Sequence, residues 1–315
     1  MISISRAASH VNAYRLRRRA QRRYQRVSAV RAPRSAATPW DRDCEGVVMK
    51  VALIQMNSQD DKDANLKAAE ALVDDAVAEA RPDVVALPEM FPYLSMDDDG
   101  RRRAAETAPD GDALALLGDL AVRHGIYVHG GSILEADGNR MFNTTIVVDP
   151  KGRRIARYRK IHMFDVTTPD GMEYRESETF SPGEEVVDYA IDGITVGCSV
   201  CYDLRFPELY QALAKKGASV IVVPAAFTMQ TGKDHWEILL RARAIETQCY
   251  VLAPAQWGWF ANGTRASWGH SMIVDPWGHI VAQSQDKVGF VSATLDFDYL
   301  DSVRASIPVA DHKVL

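Results

Sequence analysis

Asp83-Val-Val-Ala-Leu-Pro88 and Ala218-Ser-Val-Ile-Val-Val-Pro224 decide the reading of the fold. Each is a short, nearly all apolar run closed by proline, the pattern of a strand buried on both faces. Working outward, each run sits in the same company. Before the first lies Lys50-Val-Ala-Leu-Ile-Gln-Met56, a strand, then Ala64 to Ala80, with Leu66, Ala69, Leu72, Val73, Ala76 and Val77 at helical spacing. After it come a helix from Ala113 to His124, stopped by Gly125, and strands over Ile126–Leu134 and Phe142–Val148. Asp149-Pro-Lys-Gly152 then reads as a turn, since Pro presets φ and Gly permits a positive one. After the second run follow a helix from Trp236 to Gln248, strands at Tyr250–Ala253 and Ser271–Val274, and a second turn, Asp275-Pro-Trp-Gly278. Two strand-helix-strand-strand-turn halves predict one α/β domain with an internal pseudo-twofold repeat. Covering both faces of such strands calls for helices on one side and a second sheet on the other, a layered sandwich.

The 315 residues suffice for one large domain or two ordinary ones, and 47% hydrophobic with 25% charged residues excludes a mostly disordered chain. No apolar stretch approaches the ~20 residues of a membrane span, so no membrane partner is expected. Four cysteines, Cys44, Cys198, Cys201 and Cys249, are too few and scattered for a disulfide scaffold. Residues 1–48 hold eleven Arg against three acidic residues, and the remainder 26 basic against 39 acidic. An acidic body argues against nucleic acid as the main partner. The Arg-rich segment Arg15-Leu-Arg-Arg-Arg-Ala-Gln-Arg-Arg-Tyr-Gln-Arg26 stands apart from the domain expected over 49–315. Three readings fit it: a transit peptide, a basic arm, or a disordered extension upstream of the true start at Met49.

Three strand ends carry candidate chemistry. Leu87-Pro-Glu-Met90 places Glu89 at the carboxyl end of a buried strand, where α/β sheets form their ligand crevice. A carboxylate there is poorly solvated and suited to proton transfer. The competing reading is a surface loop glutamate. Tyr158-Arg-Lys-Ile-His162 ends a polar strand, and by itself Lys160 reads as a solvated edge residue. Gly197-Cys-Ser-Val-Cys-Tyr-Asp-Leu-Arg-Phe-Pro-Glu208 says most: a strand over Ile194–Val200, a sharp change at Cys201, and a helix from about Phe206 with Pro207 in its first turn. A nucleophile at such an elbow is exposed, with backbone N–H groups nearby for an oxyanion. Other readings are a Cys198/Cys201 redox pair, a serine-hydrolase elbow lacking its last glycine, and two inert buried cysteines. Zinc is disfavoured because no second Cys-x-x-Cys or His pair exists.

Together, in this order, the three segments resemble the nitrilase superfamily of carbon–nitrogen hydrolases, from about Met49 to the C-terminus. That resemblance implies a four-layer αββα sandwich. It implies a catalytic Glu89, Lys160 and Cys201, with Glu89 as general base and acid, Lys160 as oxyanion stabiliser and Cys201 as nucleophile. It implies Glu176, in Tyr174-Arg-Glu-Ser177 ahead of Ser181-Pro-Gly183, as a supporting glutamate, and the backbone N–H of Tyr202 as a second oxyanion donor. It also implies a homodimer or larger homo-oligomer formed through the helix near Phe206. The segments His235 to Tyr250 and Ser267 to Gly278 are similar to the deaminated glutathione amidase branch, whose products are 2-oxoglutarate and cysteinylglycine. The ω-amidase branch, acting on 2-oxoglutaramate, shares much of this sequence. A small-molecule amide is therefore the expected partner. No metal or organic cofactor is expected, and the expected location is cytoplasmic. Of the other polar residues in these segments, His162 is expected to make a structural hydrogen bond and Arg205 to pair with an acid such as Glu208. Arg241 and Arg243 are expected to pair with Glu237 and Glu246 on their own helix.

Overall fold

Strand β1 (Val48–Gln55) shows how the sheets are covered: Val51 and Leu53 pack in one hydrophobic cluster, Ala52 and Ile54 in another. Side chains alternate along a strand, so a wholly apolar strand must have a core on each face. The computed structural model of the protein describes residues 46–169 and 171–314. The Arg-rich segment and Cys44 lie outside the described residues.

The first half continues through helix α1 (Lys62–Ala80), β2 (Val84–Ala86), helices α2 (Asp98–Ala104) and α3 (Asp112–His124), and strands β3 (Tyr127–His129), β4 (Ile133–Asp137), β5 (Arg140–Val148) and β6 (Arg154–Arg159). A small hairpin, β7 (Asp165–Thr167) and β8 (Glu173–Arg175), leads to the second half. There β9 (Asp188–Ile191), β10 (Ile194–Cys198), helix α4 (Pro207–Lys215), β11 (Val220–Val222), helix α5 (Met229–Thr247) and β12 (Tyr250–Ala253) follow. A second hairpin, β13 (Trp257–Phe260) and β14 (Arg265–Trp268), precedes β15 (Met272–Val274), β16 (Ile280–Gln283), β17 (Gly289–Asp296) and helix α6 (Phe297–Ser306).

The two sheets share one plan. In the first, β17 is antiparallel to β1, β1, β2 and β3 are parallel, and β5 and β6 are antiparallel to their neighbours, with β4 added beside β5. In the second, β9, β10, β11, β12, β15 and β16 repeat those relations in the same order. Even the turns match. The Asp149 carboxylate accepts from the N–H groups of Lys151 and Arg153, and the Asp275 carboxylate from those of Trp277 and His279. The pseudo-twofold repeat read from the two Asp-Pro-x-Gly turns is thus the organising symmetry of the domain.

Helices α1 and α3 bury Ala69, Val73, Ala76, Leu117, Leu120 and Ala121 against the outer face of the first sheet. Helices α4 and α5 bury Leu209, Leu213, Trp236, Leu240 and Ala244 on the second. Val51, Leu53, Ala86 and Tyr158 of one sheet belong to the same cluster as Val196, Cys198, Val222 and Ala253 of the other. The architecture is the four-layer αββα sandwich. Each fully buried Leu, Ile or Val in these layers is worth about 1.5–3 kcal/mol relative to exposure.

The structure departs from the sequence expectation in places: α5 already starts at Met229, ahead of the expected Trp236. Ile126–Leu134 is not a single strand but breaks between β3 and β4 at Gly130-Gly131. Gly131 has φ 52°, and a Cβ there would collide with the carbonyl oxygens of Leu87 and Pro88. The chain bends here to pass directly over the end of β2, and Ser132 fixes the bend by donating its N–H to the Pro88 carbonyl and accepting at Oγ from Met90 N–H. Because both faces of β1 are sealed, Leu53→Ala and Ile54→Ala should each cost about 2–5 kcal/mol. Urea unfolding of the two variants checks this; one silent substitution would mean an uncovered sheet face.

Candidate active site

Glu89 leaves the end of β2 and is 4% exposed. Its Oε2 accepts from the backbone N–H of Ala226 at 2.8 Å, and its Oε1 from the Asn143 side-chain amide at 2.8 Å. Its carbonyl accepts from Gln256 Nε2 at 3.0 Å. Both halves of the chain therefore hold this residue, and the following Met90 turns away with φ 54°.

Lys160 stands immediately beyond β6, which is an edge strand with exposed Arg154 and Arg157, but the reading of Lys160 itself as solvated is overturned: the residue is 2% exposed. Its backbone N–H donates to the Asn143 carbonyl, and its own carbonyl accepts from Gly183 N–H. A Cβ on Gly183 would collide with the Arg159 carbonyl, so the Ser181-Pro-Gly183 segment can lie this close only with glycine there. The ammonium donates to Glu89 Oε1 at 3.1 Å and to Glu176 at 2.9 and 2.8 Å. Glu176 is itself fixed by the N–H of Phe164 at 2.7 Å. Burial alone would lower the Lys160 pKa, but Glu176 and then Glu89 outweigh it and hold it well above the ordinary value.

Cys201 begins a 3-10 turn, Cys201–Arg205, between β10 and α4, and Pro207 opens α4. Its φ of 50° is unusual for a residue with a side chain, and a bond from its N–H to the Pro224 carbonyl at 2.8 Å keeps it there. Burial first, then the charge of Glu89, push its thiol well above the ordinary range, with Lys160 acting in the opposite sense. Its sulfur senses both Glu89 and Lys160, which line the same cavity. Tyr202 is the second residue of the turn, so its N–H has no acceptor within that turn. Asp203, fully buried, clamps the turn to the end of β6. It accepts from Val200 N–H, Tyr158 Oη, His162 N–H and His162 Nδ1 at 2.8, 2.7, 3.1 and 2.7 Å. Tyr158 and His162 flank Lys160 by two residues on either side, so one carboxylate sets the cysteine turn against the lysine.

Glu89, Lys160, Glu176, Cys201 and Tyr202 all line one cavity. The carbon–nitrogen hydrolase family model matches residues 50–305. The chain belongs to the carbon–nitrogen hydrolase family. The hydrolase is 41% identical over 268 residues to a deaminated glutathione amidase of Synechocystis sp., covering 84% of this chain and 97% of the relative. It is 38% identical to the omega-amidase NIT2 of Danio rerio, covering 84% and 94%. The crystal structure of Nit3 of Saccharomyces cerevisiae, a member of branch 10 of the nitrilase superfamily, superimposes with a TM-score of 0.78 at 32% identity, covering 89% of this chain and all of that one.

In the hydrolase five aromatic rings, Phe164, Tyr174, Phe180, Phe227 and Phe260, stand in the cavity wall around the polar group, beside aliphatic residues and two arginines, Arg101 and Arg175. Cys198 faces the buried space between the sheets and not this cavity; burial first, then Asp188, raise its thiol. A dithiol pair would need both sulfurs accessible, which this arrangement denies. Among the described residues, no group of three or more His, Cys, Asp or Glu side chains is placed to hold a metal ion. His162 makes the expected structural bond, and Arg241 and Arg243 pair with Glu237 and Glu246 at 3.1 and 3.0 Å. Arg205 does not pair with Glu208. Its guanidinium packs against the rings of Tyr202 and Phe227 and meets His235 Nδ1 at 3.3 Å. Glu208 is the second residue of α4, whereas Arg205 ends the 3-10 turn before it and is engaged by these rings instead. Asn143 and Asp203 were not singled out from sequence. A polar Asn-Thr-Thr inside the apolar run Phe142–Val148 was the available signal for Asn143.

Three outcomes follow for the hydrolase. Glu176→Gln leaves a buried ammonium with one carboxylate and should lower stability by about 3–5 kcal/mol, read as a shifted urea midpoint. A thiol held up by burial and by Glu89 loses its proton only at high pH, so iodoacetamide labelling of Cys201, followed by peptide mass spectrometry, should still be rising beyond pH 9. Glu89→Gln removes the negative neighbour and should move that profile to lower pH; an unmoved profile would show that the carboxylate does not sense the sulfur.

Proposed function

We propose that the protein is an amidase that cleaves the amide C–N bond of deaminated glutathione, yielding 2-oxoglutarate and cysteinylglycine through a thioester on Cys201. The observation that carries this reading is one buried carboxylate, Glu89, bonded to an ammonium and sharing one cavity wall with a thiol whose proton it influences.

A thiol held above its ordinary pKa is a poor nucleophile unless a base takes its proton during attack. Glu89 takes that proton as the sulfur bonds to the amide carbon. The former carbonyl oxygen then carries the negative charge, which Lys160 and the N–H of Tyr202 stabilise. Loss of one such donor costs roughly 2.7–4 kcal/mol in the barrier. Glu89 returns the proton to the nitrogen as the C–N bond breaks and cysteinylglycine departs. Water, deprotonated by Glu89, adds to the thioester; the C–S bond breaks, the thiol regains a proton, and 2-oxoglutarate leaves. Glu176 and Asn143 keep Lys160 and Glu89 in register throughout.

The naming of the Synechocystis relative supports deaminated glutathione as substrate, and that of the Danio rerio relative supports a second reading, an ω-amidase releasing ammonia from 2-oxoglutaramate. Steady-state assays of the purified full-length protein on both compounds separate them. The proposal expects the larger kcat/KM on deaminated glutathione, with cysteinylglycine and no ammonia formed. Dominant ammonia release from 2-oxoglutaramate would move the enzyme to the second reading. Cys201→Ala should abolish both activities, and hydroxylamine should trap the acyl group from the unsubstituted enzyme as a hydroxamate.

A further inference from the structure

Three arginines stand at or beside the walls of the catalytic cavity formed by α2 and the two hairpins, and they differ in how they are paired. Arg101 donates to the Ser95 carbonyl at 2.7 Å and to Asp98 at 3.0 Å. Arg175 donates to the carbonyls of Val166 and Tyr174 and to Glu173. Arg265, at the start of β14, has no acidic partner among the described residues. Its Nη1 meets only the Thr264 carbonyl at 3.3 Å and the Met172 thioether at 3.8 Å, and its guanidinium lies over the ring of Tyr174, a cavity residue. Its Nε is buried and without any hydrogen-bond partner.

The register of the hairpin places this group. Arg265 is paired directly across from Phe260, and Ser267 from Gly258, so all four residues share one face. Phe260, across from Arg265, and Ala266, next to it in sequence, both line the cavity, as does Tyr174 beneath its guanidinium, so Arg265 stands at the rim among three lining residues. Ser267 Oγ is likewise buried without a partner. Ser267 is bridged to Thr228, a further cavity residue, and Gln230, two positions on, also keeps an unpartnered buried oxygen. Buried polar groups are almost always satisfied, so orphans on residues flanking the lining residues Thr228, Phe260 and Ala266 mark where a ligand entering from the cavity supplies the missing atoms. A guanidinium N–H beside a hydroxyl suits a carboxylate.

The proposed chemistry says which carboxylate. The departing nitrogen receives its proton from Glu89, whose Oε2 is fixed by Ala226 N–H. Ala226, Phe227 and Thr228 run from that point along the cavity wall to Ser267. A leaving dipeptide extends about 7 Å, so its far end lies along this wall, away from Glu89. We infer that Arg265, with Ser267 beside it, binds the terminal carboxylate of the leaving amine and so selects a carboxylated dipeptide over ammonia as the leaving group. This rests on the amidase reading given above.

The test compares three substrates on the full-length enzyme: deaminated glutathione, its glycinamide form lacking the terminal carboxylate, and 2-oxoglutaramate. The unsubstituted enzyme should prefer the acid to the glycinamide form by roughly 10- to 100-fold in kcat/KM, the range of one charge-assisted hydrogen bond, mostly through KM. Arg265→Gln should erase that preference, and Arg265→Lys should retain part of it. Equal treatment of acid and glycinamide by the unsubstituted enzyme overturns the inference alone. So does a preference that survives Arg265→Gln, or a loss of the same size on all three substrates, which would mark a purely structural arginine. Failure to hydrolyse any of the three overturns the amidase function itself, and hydrolysis of 2-oxoglutaramate alone overturns both the substrate and this subsite.

Discussion

A lysine ammonium sealed from water is the constraint on which the site depends. Taking an ammonium out of water is expensive and is tolerated only when opposite charge and hydrogen bonds replace the solvent. Here Lys160 is met by Glu89 and Glu176, which arrive from distant segments and are themselves held by the Ala226 and Phe164 N–H groups and by Asn143. The end of β2, the end of β6 and the turn after β8 are thereby drawn to one point. One lysine and two carboxylates leave a net negative charge in the site. A free thiolate would add a second in a place sealed from water, and burial first, then Glu89, raise the Cys201 thiol. In the proposed mechanism the proton moves from sulfur to Glu89, so attack begins with no change in the total buried charge.

The symmetry of the fold explains where the site lies and why there is one site. Leu87-Pro88-Glu89 at the end of β2 corresponds to Val223-Pro224-Ala225 at the end of β11. The first half ends in an acid. The second ends in a small residue whose neighbours supply backbone groups: the Pro224 carbonyl to Cys201 N–H and the Ala226 N–H to Glu89. The two halves share a scaffold while their chemistry is divided, with acid and cation from the first and thiol from the second. The β7–β8 and β13–β14 hairpins, at the edges of this common plan, contribute Tyr174 and Phe260 to the cavity wall.

Much of this was legible in the chain. Apolar runs closed by Pro88 and Pro224, the two Asp-Pro-x-Gly turns and the helical spacing before them carry the layers, because burial on both faces leaves a strand no choice of composition. The segments bearing Glu89, Lys160 and Cys201 could be picked out one by one. Lys160 was the least legible by local pattern: a strand reading Arg154-Ile-Ala-Arg-Tyr-Arg159 looks solvated, and only the partners show that its end is buried. Arg205 was misassigned for the same reason, since nearness in sequence to Glu208 said nothing of the aromatic rings beside it.

By itself, then, the sequence determined the order of the main elements and the internal repeat, since these follow from periodicity and local backbone preference, and it marked the segments that carry Glu89, Lys160 and Cys201. Only the tertiary structure decided that a thiol, an ammonium and two carboxylates share one cavity, that Asp203 ties the cysteine turn to the lysine strand, and that Cys198 faces away. Those are contacts between residues tens of positions apart, set by how two sheets pack and by which buried charges must neutralise one another, and no local pattern along the chain encodes that geometry.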